Sequence, residues 1–193
     1  MHFSSLELRE LFKAYAAISL AFGILLWNGY SIAFPTAFFI SALTVGVGFV
    51  MHELSHKVVA QHFGLSAEFR AFNHFLLLAI AMSFLGFIFA APGAVFIRGY
   101  ATQRRHALIS SSGVIANICA AVCFAALFLL SSGIAKAVGA YGAMINSYLA
   151  LFNLIPFGGF DGATVFRWNK KLYGVLAFFA FSLLFFLMVF SIM

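Results

Sequence analysis

Apolar residues along this chain come in blocks too long for the helices of a soluble core, and polar residues gather between the blocks. Leu11 to Tyr30 is the first such block. Its length corresponds to about 30 Å of helix, one hydrocarbon thickness. Trp27 and Tyr30 sit near its end, where amphipathic rings anchor at a membrane interface. A second helix is predicted to open at Pro35 and run through Gly46 and Gly48 to His62, with Gly64 as its stop. The two glycines suit close packing against a neighbouring helix. Ala107 to Leu130, Val138 to Pro156 and Leu172 to Met193 read as further spans. The pattern predicts an all-α polytopic membrane protein in a single domain, 1–193, with about five to six transmembrane helices.

Phe75 to Ile97 does not fit that pattern cleanly, because Gly86, Pro92 and Gly93 interrupt it. Loop charge decides how to read it. With Arg9 and Lys13 on the cytoplasmic side, the second helix returns Lys57 and Arg70 to that side. If Phe75–Ile97 dips in and comes back, Arg98, Arg104, Arg105, Arg167, Lys170 and Lys171 also lie inside, and Lys136 alone lies outside. A full crossing splits the basic clusters and removes the positive-inside bias. The segment is therefore expected to be a re-entrant, β-prone loop between the second helix and the next span. Backbone of that kind is tolerated at membrane depth only beside protein or a wet cavity.

Composition supports the membrane reading. Hydrophobic residues make up 64% of the chain and charged residues 8%, against about 25% charged in soluble domains. The net charge of +6 is spread over the ends of the apolar blocks. That distribution suits contact with the lipid bilayer and argues against nucleic acid, which needs a basic face or arm. Cys119 and Cys123, one turn apart, read as small core residues rather than a disulfide pair.

Chemistry enters with His52-Glu53-Leu54-Ser55-His56, near the far end of the second helix. Histidines four apart share one helix face, so both imidazoles can bind one zinc ion while the Glu53 carboxylate acts on a bound water. Ionisable groups cost about 2.5–3.5 kcal/mol at the centre of a bilayer and are retained there for function. A catalytic zinc site needs three protein ligands and an open position. The chain has five carboxylates, Glu7, Glu10, Glu53, Glu68 and Asp161. Glu7 and Glu10 belong to the amphipathic start, Glu53 is better placed as a base, and Glu68 follows the helix end in a polar turn. Asp161 lies in an apolar run broken by Pro156 and three glycines, where it either completes the metal site or caps the next turn.

HExxH together with Asn153-x-x-Pro156-x-x-x-x-Asp161-Gly162 resembles the signature of the site-2 protease family of intramembrane zinc metalloproteases. The resemblance covers about residues 49–162 and corresponds to a minimal catalytic core without PDZ or CBS modules. It implies one zinc per chain held by His52, His56 and Asp161, with Glu53 as general base and Asn153 near the oxyanion. Gly113-Val-Ile-Ala-Asn117 resembles the family's GPxxN element, with Val114 in place of proline. Asn117 is then either a substrate-binding residue or a helix-packing amide. The implied activity is hydrolysis of peptide bonds in or near transmembrane segments of other membrane proteins. Its setting would be a multi-pass protein of the cell membrane with the site toward the cytoplasm.

The stretch from Phe89 to Ile97 is β-prone on both sides of its Pro-Gly turn. Gly93, Ala94 and Val95 could offer an edge strand to an unwound substrate, or the loop could serve only as a plug. Two rivals remain. A membrane di-iron oxygenase needs more histidines than the six present. A non-catalytic zinc-binding membrane protein, an inactive relative or a transporter-like one, has no use for Glu53 beside the ligand.

Overall fold

The computed structural model describes residues 2–88 and 92–192, with side chains to residue 189. Among these residues the order is α1 (Ser5–Gly29), α2 (Phe34–Ser41), a π-helical turn (Ala42–Gly46), α3 (Val47–His62), β1 (Ser66–Ala71), α4 (Asn73–Ser83), β2 (Gly93–Arg98), α5 (Gln103–Leu130), α6 (Gly133–Asn153), α7 (Asp161–Trp168) and α8 (Lys170–Ile192). α1 starts earlier than its apolar block because the Ser4 hydroxyl accepts the Glu7 N–H and caps the first turn. Pro35 sits in the first turn of α2, where its missing N–H costs nothing.

Four helices among the described residues are long and apolar enough to cross a bilayer: α1, the continuous unit Phe34–His62, α5 and α8. The protein is membrane-embedded and mostly helical. α6 occupies the block expected from Val138 onward but is not one of the four. It carries Lys136, Asn146, Ser147 and Asn153 and packs against α5 and α8. α8 turns Phe178, Phe181 and Phe185 outward, as a lipid-facing helix does.

The helices form two groups. In the first, α1 packs on α2, α4 and β1, with a core of Leu11, Ile18, Val45, Phe49, Phe69 and Leu76. In the second, α5 to α8 close around Val114, Leu154, Val165 and Leu176. α3 against α5 joins them, through Ala60, Leu65, Ala67 and Ile109. The glycines of the second helix do permit close approach: a Cβ on Gly46 would strike Tyr15 and Ser19 of α1. Cys119 and Cys123 are exposed on α5 rather than in the core.

The segment after α3 differs from its expected form. Ser66–Ala71, read as a polar turn around Glu68, is a strand paired antiparallel with β2, in a register running from Ser66–Arg98 to Ala71–Gly93. Its alternation explains this, since Ala67 and Phe69 point inward while Ser66 is exposed. Glu68 is held below the usual carboxylate range by the Ser4 hydroxyl and the Arg70 guanidinium. Between the strands lies α4, whose 11 residues extend about 16 Å, half the hydrocarbon thickness. The Phe72 N–H donates to the Pro92 carbonyl at 3.0 Å, so the segment returns to where it began. Of the β-prone run, Phe89 to Ala91 lie outside the described residues.

The two sheet edges are not equivalent. The outer edge of β1 is occupied: the Phe69 N–H donates to Glu7 Oε1, the Ala71 N–H donates to Glu10 Oε2, and Lys57 Nζ donates to the Ala67 carbonyl. Because the Phe69 N–H points away from β2, the backbone groups of its partner Val95 point away from β1. They lie on the other edge of the sheet.

Candidate metal centre

His52 and His56 project from α3 toward the start of α7, where Asp161 is the first helical residue. Asp161 Oδ2 lies 3.3 Å from His52 Nε2 and 3.2 Å from His56 Nε2, and the two Nε2 atoms are 3.0 Å apart. A tetrahedral ion with bonds of about 2.0–2.1 Å holds its ligand atoms about 3.3–3.4 Å apart, close to the edges of this triangle.

The far sides of the rings decide what the near sides can do. His52 Nδ1 lies 2.6 Å from Asn117 Oδ1, and His56 Nδ1 lies 2.8 Å from the Ile109 carbonyl oxygen. Both acceptors require Nδ1–H, so both Nε2 atoms turn lone pairs toward the carboxylate oxygen. Two buried imidazole nitrogens and a half-buried carboxylate oxygen, all turning lone pairs toward one point, can hold a cation. The donor set, two imidazoles and a carboxylate, suits zinc.

α5 supplies this arrangement at four-residue intervals. Ile109, Gly113 and Asn117 share one helix face. The outer two accept from the imidazoles, and the middle one leaves room for them. A Cβ on Gly113 would lie 2.5 Å from His56 Cε1 and 2.7 Å from His52 Cε1. The turn after α6 brings Asp161 back by a similar device. Gly162 sits against the Leu154 backbone, where any side chain would collide, and this contact folds residues 155–160 into a tight return. Asp161 therefore joins the metal group, and Phe160 takes the cap position before α7.

A cavity of about 380 Å³ opens beside the triad, lined by Glu53, Asn153, Gly93, Ala94, Phe152 and Phe160 among others. Asn153 ends α6 and donates one Nδ2 hydrogen to the Leu149 carbonyl at 2.9 Å. Asn117 borders the same cavity but is fully buried, and its amide is spent inside the protein: Oδ1 on His52, Nδ2 on the Gly48 carbonyl and on Asn146. Its packing reading fits better than substrate contact. Val95 turns its side chain into the core beside β1, leaving only its backbone for the open edge. Glu7 and Lys57, neither singled out for the site by its sequence, form a buried ion pair next to His56 in the chain, and Asn146 was not visible in any motif. The available signal for Asn146 was an amide in an apolar helix.

The arrangement is a helix-borne group able to hold a metal ion, with a neighbouring carboxylate, inside a membrane-embedded bundle. Over 178 residues, 90% of either chain, the protein is 34% identical to a Methanocaldococcus jannaschii protein named "Putative zinc metalloprotease MJ0611". The chain belongs to the same family, that of a zinc metalloprotease. The cofactor is zinc, and His52, His56 and Asp161 are the group that can hold it. No family model matches the chain, and no solved structure matches it significantly.

Proposed function

We propose that this protein is an intramembrane zinc endopeptidase of the site-2 protease type, cleaving peptide bonds in or near transmembrane segments of other membrane proteins. The observation that carries this reading is the position of the His52–His56–Asp161 group. Its two histidines lie on a membrane-length helix, and the group borders a cavity lined by Glu53 and Asn153. Zinc, when bound, supplies a Lewis acid and lowers the pKa of water toward about 7. Glu53 takes the proton from the attacking water and passes one to the leaving amine as the C–N bond breaks. Asn153 has a second Nδ2 hydrogen for the developing oxyanion, a contact worth about 2.7–4 kcal/mol elsewhere.

A helical substrate must first expose a carbonyl. Gly93 and Ala94 line the cavity from β2, whose outer edge faces away from β1. An unwound substrate segment can pair with that edge, which holds it extended beside the metal. The paired strands and short α4 support a re-entrant loop. With the basic residues at its ends, they favour a multi-pass protein of the cell membrane with its site toward the cytoplasm.

The test compares wild type with Glu53→Gln in detergent, by elemental analysis and by cleavage of a panel of single-span substrates. Both should hold one zinc per chain, with turnover about 10²–10⁴-fold lower in the variant. Zinc loss in Glu53→Gln would reassign Glu53 as a ligand. No cleavage of any substrate by zinc-loaded wild type would favour the non-catalytic zinc-binding reading.

A further inference from the structure

Asn146, on α6, is fully buried and touches neither the metal group nor the cavity. Its Nδ2 faces two backbone carbonyls, Gly142 at 2.9 Å and Thr44 at 3.4 Å, the latter inside the π-helical turn. Its Oδ1 accepts from Asn117 Nδ2 at 3.1 Å. A Cβ on residue 48 would occupy the place of that oxygen, so Gly48 is what admits the Asn146 amide to the α3–α5 contact.

The chain of contacts has a direction set by its ends. Carbonyl oxygens only accept, so Thr44 and Gly142 require the NH₂ side of Asn146. That turns the Asn146 oxygen toward Asn117, which must answer with its own NH₂. The Gly48 carbonyl, 3.2 Å from Asn117 Nδ2, asks for the same orientation. The Asn117 oxygen is then left facing His52 Nδ1, which must carry the ring proton, and Nε2 is free on the metal side. A flip of either amide would set acceptor against acceptor at a buried position, which costs about 1–3 kcal/mol per unsatisfied group.

We propose that Asn146 is a positioning residue of the zinc site: it fixes the orientation of the Asn117 amide and, through it, the His52 tautomer that presents Nε2 to the metal. Partners of this kind tune metal affinity without touching the ion. The inference rests on His52 being a zinc ligand. Zinc stoichiometry of the wild type tests that separately.

The experiment uses the full chain in nanodiscs, labelled with ¹⁵N-histidine and stripped of zinc by a chelator. Long-range ¹H–¹⁵N correlations report each ring's tautomer, with His52 assigned by its loss in His52→Ala. Wild type should show His52 protonated at Nδ1. Asn146→Leu should mix in the Nε2-protonated form and, after zinc is returned, weaken zinc binding by about tenfold in chelator competition. Ser147→Ala removes a neighbouring buried hydrogen bond, to the Ala143 carbonyl, and should change neither. Asn146→Ala serves if the leucine variant does not fold. In an Asn117→Ala background, the Asn146 substitution should add nothing, because its effect passes through Asn117. A wild-type tautomer and affinity in the Asn146 variant would overturn the proposal. So would an undiminished Asn146 effect in the Asn117→Ala background.

Discussion

Lys57 and Glu7 form an ion pair that is almost fully buried, with Lys57 Nζ 2.6 Å from Glu7 Oε2 and 2.8 Å from Oε1. The same two side chains also bond β1, at the Ala67 carbonyl and the Phe69 N–H. One pair thus ties α1, α3 and the sheet together, immediately after His56 of the metal-binding group. Removing one partner leaves the other charge buried and alone, at a cost of about 3–5 kcal/mol. Glu7→Ala and Lys57→Ala should each lower stability by that order in denaturant titration of the detergent-solubilised protein. Glu7→Leu combined with Lys57→Met should cost much less than the sum of the single losses. Additive losses would show that the two charges do not depend on each other.

Gly113 stands between the two ring acceptors on α5. Gly113→Ala places a methyl where the imidazoles lie, so the rings must turn or α5 must retreat. Zinc affinity is expected to drop by about ten- to a hundredfold, by analogy with other disturbed ligand supports. Val114→Ala is the comparison, since Val114 packs away from the site against Leu154 and Leu176. That variant should lose stability and keep its zinc affinity. Equal zinc loss in both variants would point to general loosening of α5 in place of a local collision.

Topology gives an independent check. Arg70, within β1, and Arg104, at the start of α5, flank residues 75–97, and the re-entrant reading puts both on the cytoplasmic side. Single cysteines at these positions, in a chain lacking Cys119 and Cys123, should react with a membrane-impermeant reagent from the same side. Labelling from opposite sides would make residues 75–97 a full crossing.

Much of this was legible in the chain because it depends on local spacing. His52 and His56 share a face by helical periodicity alone, and the apolar blocks mark α1, α2–α3, α5 and α8. What escaped depends on pairing at a distance. Ser66–Ala71 alternates inward and outward over six residues, too short a run beside charged residues to suggest a strand without its partner 22 residues away. Lys57 looked like a free basic marker of the cytoplasmic side, and its burial became visible only with Glu7 placed beside it, 50 residues earlier. Asn117 could be narrowed only to substrate contact or packing, because its partners come from α3 and α6. Cys119 and Cys123 were misjudged for a related reason: an all-apolar helix does not show which face meets lipid.

The open strand edge leads to the last prediction. Val95 lies opposite Phe69, and the Phe69 N–H is taken by Glu7, so the Val95 N–H lies on the side of β2 away from β1. Proline at 95 removes that N–H without removing any β1–β2 hydrogen bond, and its fixed φ is compatible with a strand edge. Val95→Pro should keep wild-type zinc content, because His52, His56 and Asp161 all lie outside β2. Cleavage of a full-length helical substrate should fall well below that of Val95→Ala, the control for lost core packing of the valine side chain. A helix-destabilised substrate should not restore it, since the missing contact holds the extended form and does not create it. Equal cleavage by the two variants would make the loop a plug, and the substrate would have to be held by another element.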